Sequence, residues 1–143
     1  GLMCLKVFVH GNTAVYDQLK PYAQSLGAAF QKINFLRDIS ADYNDLGRMY
    51  FPGVNFKSFS REDKRQIEKD IAQDLAHALI GIKMLPISSK LAVFMAYKYY
   101  TNLFKKIKKC KPEVLLQKRI RVSNARKIYL FGEMVINQKL NLL

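Results

Sequence analysis

The chain has 143 residues, 50% of them hydrophobic, and its 24 Lys or Arg against 11 Asp or Glu give a formal charge of +13. That length and apolar share support one domain with its own core. No uninterrupted apolar run nears the roughly 18 residues of a membrane span, so no segment is expected to cross a bilayer. Two widely separated cysteines, Cys4 and Cys110, carry no metal-ligand spacing around them, and a reduced cytoplasmic setting is the simplest expectation.

Helical periodicity dominates and strand signals are almost absent, which predicts an all-α fold. Residues 1–10 read as a helix ending before His10–Gly11–Asn12, with Cys4 a small core residue. A helical stretch from about Thr13 then meets Pro21, which either opens a new helix in its first turn or kinks the existing one. From Pro21 to about Asp45 runs a helix whose packed side is Leu26, Ala29, Phe30, Ile33, Leu36 and Ile39. Gly47 and the loop through Pro52–Gly53 end it. Ser60 with Asp63 predicts a capping box for a helix over 61–83, apolar at Ile67, Ile71, Leu75, Ala78 and Ile82. Its segment REDKRQIEKDIAQDLAH alternates in charge sign and reads as a solvated face, Asp70 and Asp74 included. Pro86 breaks this helix, and Ser88 or Ser89 is expected to cap the next, which runs to about Lys109. Pro112 opens another, and Ser123–Asn124 cap a last one. There is no repeat, low-complexity tract or domain linker.

Candidate chemistry is concentrated in one place. Asn34, Asp38 and Asp42 stand four residues apart in QKINFLRDISADYNDLGRMYFP, so on a helix they share a face and rise about 6 Å per step. Two carboxylates and an amide oxygen make a row of hard donors suited to Mg²⁺ held jointly with a substrate's phosphates. Arg37 and Arg48 are placed to bind the same phosphates. The plainer reading is a solvated acidic face; against it, like charges at this spacing weaken a helix unless something cationic joins them. His10 and His77 are isolated, which argues against zinc, and His77 reads as a surface residue. The aromatics Phe94, Tyr97, Tyr99, Tyr100 and Phe104 read as core packing.

The same stretch resembles the second aspartate-rich motif of the squalene/phytoene synthase family of head-to-head prenyltransferases. That motif runs roughly Q-x-x-N-x-x-R-D-x-x-x-D, followed by G-R-x-Y-x-P. Gln31, Asn34, Arg37, Asp38, Asp42, Gly47, Arg48, Tyr50 and Pro52 match it. GLMCL resembles the helix preceding the motif, and RIRVSNARKIYL the basic turn into the family's last helix. Two positions depart from the pattern. Ala41 replaces a common Glu, off the Asn34–Asp38–Asp42 face, and the link from Asp42 to Arg48 is one residue longer than in many members.

The resemblance implies antiparallel helices of the isoprenoid-synthase type, here as a partial bundle. Residues 1–143 are then the C-terminal half of a catalytic domain, with no separate second domain and no first aspartate-rich motif, and the piece alone is expected to be inactive. The implied reaction condenses two prenyl diphosphates through a cyclopropyl intermediate, most simply geranylgeranyl diphosphate to phytoene. Squalene or dehydrosqualene from farnesyl diphosphate is the alternative. In the roles implied, Asp38 and Asp42 are catalytic, and with Asn34 they hold Mg²⁺ or Mn²⁺. Gln31, Arg37, Arg48 and Tyr50 bind substrate, and NADPH enters only in a squalene synthase. Aromatic side chains between helices would line the channel for the isoprenoid tails, a second reading for Phe30, Phe35 and the later aromatics.

Ten Lys or Arg lie between Lys105 and Lys127. They are a solvated surface, or an adhesive face for an anionic membrane, which would place the protein peripherally at the inner side. No nucleic-acid-binding signature accompanies them, so no nucleic acid is expected. A non-catalytic basic helical module is the reading from another class. Self-association through the face that would pack on the missing half is also expected.

Overall fold

The computed structural model describes residues 1–45 (backbone only over 41–45), 59–117, 119–120 and 132. Among them lie five helices and no strand: α1 (Leu2–Phe8), α2 (Thr13–Asp45), α3 (Arg61–Met84), α4 (Ile87–Lys109) and α5 (Pro112–Gln117). The all-α expectation holds. Gly47, Arg48, Tyr50, Pro52 and the helix expected after Ser123–Asn124 lie outside the described residues, as does the side chain of Asp42.

The chain leaves α1 through two left-handed residues, His10 (φ 49°) and Gly11 (φ 76°), a conformation that Gly adopts without a Cβ penalty. Asn12 then caps α2, its Oδ1 accepting from the Val15 N–H at 3.1 Å. Pro21 neither opens a helix nor ends one: α2 runs unbroken through it for 33 residues. The cap upstream has already started the helix, and packing along α2 offsets the one hydrogen bond that proline removes.

The capping box of α3 is present. The Asp63 N–H donates to Ser60 Oγ at 3.1 Å, and the Ser60 N–H donates to Asp63 Oδ2 at 3.0 Å. Ser60→Ala is expected to lower stability by about 1 kcal/mol, read as an earlier urea midpoint at unchanged slope. The Ser60 hydroxyl, and then its backbone N–H, hold the Asp63 carboxyl below its usual range. The stabilisation is therefore present above the ordinary carboxylate pKa and is lost as pH falls through the lowered one. At α4 the expected serine caps are absent. Pro86 occupies the capping position without a side-chain acceptor, and buried Ser89 donates its hydroxyl back to the Pro86 carbonyl at 3.2 Å. Proline's fixed φ starts this helix without a polar cap.

The main core gathers Ile33, Leu36 and Ile39 of α2, Ile67 and Ile71 of α3, Leu103 and Ile107 of α4, and Leu115 of α5. A smaller cluster joins Leu5, Val9, Leu19 and Leu85. Helices α2 and α3 run antiparallel. Gly81 of α3 lies on Tyr22, so close that a Cβ there would stand 2.2 Å from Tyr22 Cβ. Further along, Lys32 of α2 bridges Asp70 and Asp74.

Asp70 stays half exposed, as charge alternation implied, but Asp74 is largely covered, and both aspartates are paired. Lys32 approaches from the neighbouring helix, a contact that alternation along α3 cannot reveal. Burial, which disfavours the ammonium, is outweighed by hydrogen bonds and charge from the two aspartates, and Lys32 titrates above the ordinary lysine range. Its contribution is full at neutral pH and is lost only as pH rises through the raised value. Buried Lys64 similarly pairs with Glu68 and donates to the Lys108 carbonyl at the end of α4, at 3.3 Å.

Candidate functional site

One face of α2 changes character along its length. Its first half, through Leu19, Ala23, Gly27 and Phe30, lines a half-open cavity of about 340 Å³ bounded also by α1, α3 and α4. Across it stand Leu5 and Phe8, Ala78 and Ile82, and Val93 and Ala96. The lining is apolar almost throughout, as ligand cavities for hydrocarbon are. Cys4 also lines it yet is exposed, which corrects its expected place in the core. The short α1 covers the cavity from one side only and leaves its own outer face bare. Met3 and Val7 of α1 are exposed, as are Ile80 and Met84 of α3 and Ile87 of α4.

Steps of three and four residues carry the same face onward from Ala23, Gly27 and Phe30 to Asn34 and Asp38, where it turns polar. The junction is aromatic. Phe30 stacks on Tyr100 of α4 with ring centroids 3.8 Å apart, and Tyr99 meets Tyr100 edge-on at 5.5 Å. The Tyr100 hydroxyl accepts from Asn34 Nδ2 at 3.1 Å. That contact leaves Asn34 Oδ1 buried with no hydrogen-bond partner, a condition that costs roughly 1–3 kcal/mol unless a donor or cation arrives.

One turn on, Asp38 is held by two arginines. Arg37 Nε donates to both carboxylate oxygens at 3.0 and 3.1 Å, with its Nη2 on the same group. Arg119 Nε lies 2.6 Å from Asp38 Oδ1. The next residue fixes this approach, because the Ile120 N–H donates to the Arg37 carbonyl at 3.4 Å. The hydrogen bonds that Arg37 donates to Asp38 are the main reason Arg37 is raised above its already high range; burial opposes, and the charges of Asp38, Tyr100 and Tyr99 add to it. The Asp38 side chain is 24% exposed and that of Arg119 47%, so this polar end is open to an incoming ligand.

The fold thus brings together Asn34, Arg37 and Asp38, with Gln31 exposed on the same helix. The backbone of α2 continues to Asp45, which places Asp42 one turn beyond Asp38. Of the aromatics with two readings, Phe30 faces the cavity, whereas Phe35 and Phe104 are buried in the main core. Tyr100, read from the sequence only as core packing or channel lining, and Arg119, which the sequence did not single out, join the site. Tyr100 is one tyrosine among several there, and Arg119 one cation in a basic run; only the packing of α4 and of residues 119–120 against α2 distinguishes them. His77 is exposed as expected, its Nδ1 2.8 Å from Ser25 Oγ.

Among the described residues, no three His, Cys, Asp or Glu side chains converge on a metal position. The donors one turn apart on this face are hard oxygens: the Asp38 carboxylate and the unpartnered Asn34 Oδ1. They fit a cation such as Mg²⁺, which binds through one or two carboxylates and completes its shell with water and phosphate oxygens.

The squalene/phytoene synthase family matches over residues 1–126, and the chain belongs to that family. A 4,4'-diapophytoene synthase of Staphylococcus haemolyticus (strain JCSC1435) is 36% identical over 58 residues, 41% of this chain and 20% of that relative's length. No solved structure matches the chain. Among the described residues, no helix is long and apolar enough to cross a membrane.

Proposed function

We propose that the intact protein condenses two prenyl diphosphates head to head, and that α2 supplies one wall of the site. A single observation carries this reading: the face of α2 that lines an apolar cavity continues into Asn34 and Asp38, with an unpaired amide oxygen at the first polar turn. A molecule with a hydrocarbon tail and an anionic head has that shape.

In this reading the tail lies in the cavity, away from water, and the diphosphate lies at the Asp38 end. Arg37 and Arg119 exchange their hold on Asp38 for phosphate oxygens, to which guanidinium groups bind in bidentate fashion. Mg²⁺ or Mn²⁺ held by Asn34 and Asp38, with Asp42 next on the same face, would supply positive charge to the departing diphosphate. Breaking the C1–oxygen bond releases diphosphate and leaves an allylic cation. The double bond of the second substrate attacks that cation, and proton loss closes a cyclopropylcarbinyl diphosphate. The Phe30–Tyr100 stack stands where the cation forms, its aromatic faces favourable to positive charge. A second ionisation, rearrangement and proton loss yield phytoene from geranylgeranyl diphosphate. The second reading is squalene or dehydrosqualene from farnesyl diphosphate, and NADPH enters only if the product is squalene.

Exposed Lys105, Lys108, Lys109 and Lys111 lie at the polar end of the bundle, where they suit peripheral contact with an anionic membrane that holds the lipid product. The exposed apolar side chains of α1, α3 and α4 suit self-association.

The deciding experiment incubates the intact protein with Mg²⁺ and farnesyl or geranylgeranyl diphosphate and identifies the hydrocarbon formed. A C40 product is expected from geranylgeranyl diphosphate. No turnover, together with salt-sensitive binding to anionic vesicles or DNA, would instead support the non-catalytic basic module.

A further inference from the structure

Three glycines line the same cavity, Gly1, Gly27 and Gly81, and the two inside helices differ in what surrounds them. Gly81 has no room for a side chain, since a Cβ would strike Tyr22; a Cβ on Gly27 would meet nothing within 4 Å. Gly27 lies inside α2, where glycine costs roughly 0.5–1 kcal/mol relative to alanine. Neither a turn nor a close approach of backbone asks for glycine there. What its missing side chain provides is space in the cavity.

That space is in a particular place. Gly27 stands two turns before Asn34 on the cavity face, about 16 Å along the helix from Asp38 at the helical rise per residue. Phe30 lines the cavity on the side toward Asp38 and stacks there on Tyr100. Beyond Gly27, on the side away from Asp38, lie Ala23, Tyr22, Leu19, Leu5 and Phe8. A tail anchored by its head at Asp38 therefore has to pass Gly27 to use that part of the cavity.

We infer that Gly27 determines the length of prenyl tail the site accepts, because a side chain at this position would divide the cavity and exclude the far isoprene units. The inference rests on the prenyl-diphosphate reading of the site. A bulky residue at 27 leaves the diphosphate end and the Phe30–Tyr100 junction untouched, so it selects against long substrates without removing chemistry from short ones. The expected discrimination is at least about tenfold per excluded isoprene unit, since a single methylene in an apolar pocket is already worth about 10–200-fold.

The test uses the intact protein and its Gly27→Ala, Gly27→Leu and Gly27→Phe variants. Each is assayed for kcat/KM with geranyl, farnesyl and geranylgeranyl diphosphate, with helix content and melting temperature as checks of folding. The expected result is a graded shift of preference toward the shorter diphosphates, strongest for Gly27→Phe. If that variant fails to fold, the shift is read from Gly27→Leu. Variants that keep the wild-type length profile, or lose activity equally on all three substrates, overturn the inference and leave the functional reading standing. A wild-type protein inactive on all three removes the functional reading, and the inference with it.

Discussion

Asp38→Asn is expected to lower turnover of prenyl diphosphates by about 10²–10³-fold, the range seen when one preorganised electrostatic group is lost from an active site. The amide keeps the size of the carboxylate but loses the charge that recruits a cation. It also frees Arg37 and Arg119, both of which contact Asp38. The contrasting reading makes Asp38 a structural anchor for residues 119–120. Partly exposed ion pairs contribute at most about 1 kcal/mol, so under that reading Asp38→Asn would shift the melting temperature slightly and leave turnover near wild type. The Mg²⁺ dependence separates the two. A metal-binding Asp38 predicts that the residual activity of the variant needs more Mg²⁺, and an unchanged Mg²⁺ profile at near-normal rate would remove Asp38 from the site.

Gly81→Ala is expected to destabilise the protein by about 1–3 kcal/mol, the usual cost of overpacking. Its added Cβ would lie 2.2 Å from Tyr22 Cβ and 2.7 Å from Tyr22 Cγ, both far inside van der Waals contact. Because a Cβ and its Cα cannot rotate away, relief requires α2 and α3 to separate. Alanine's better helix propensity, worth about 1 kcal/mol, works in the opposite direction. Gly27→Ala carries the same propensity gain with no clash, and it is expected to raise stability by about 0.5–1 kcal/mol. Urea midpoints of the two variants should therefore move in opposite directions. A neutral or stabilising Gly81→Ala would mean that the helices do not cross so closely.

Helix starts and stops are legible in the sequence where they depend on near neighbours. The Ser60–Asp63 box is a contact three residues long, and the beginning of α5 at Pro112 is equally local. Pro21 is ambiguous for the opposite reason: whether a helix tolerates a proline depends on what packs against it, and that partner is distant in sequence. Pro86 displaces Ser88 and Ser89 as the start of α4 because two local signals compete, and the fixed backbone angle prevails over the polar side chain. The pairing of Asp70 and Asp74 is hidden in sequence because charge pattern describes one helix, whereas Lys32 comes from another.

By itself the sequence determined the all-helical class, the family, and the alignment of Asn34, Asp38 and Asp42 on one face, since 3.6-residue periodicity and motif spacing are properties of a single segment. Only the tertiary structure decided what that face meets. Tyr100, 66 residues away, occupies one side of the Asn34 amide, and Arg119 grips Asp38 from beyond α5. The cavity beneath them is bounded by four helices, and no local pattern specifies how their side chains divide a shared space. Gly27 and Gly81 show this directly. Both are glycines in helices, and only the neighbouring helix makes one a point of contact and the other an opening.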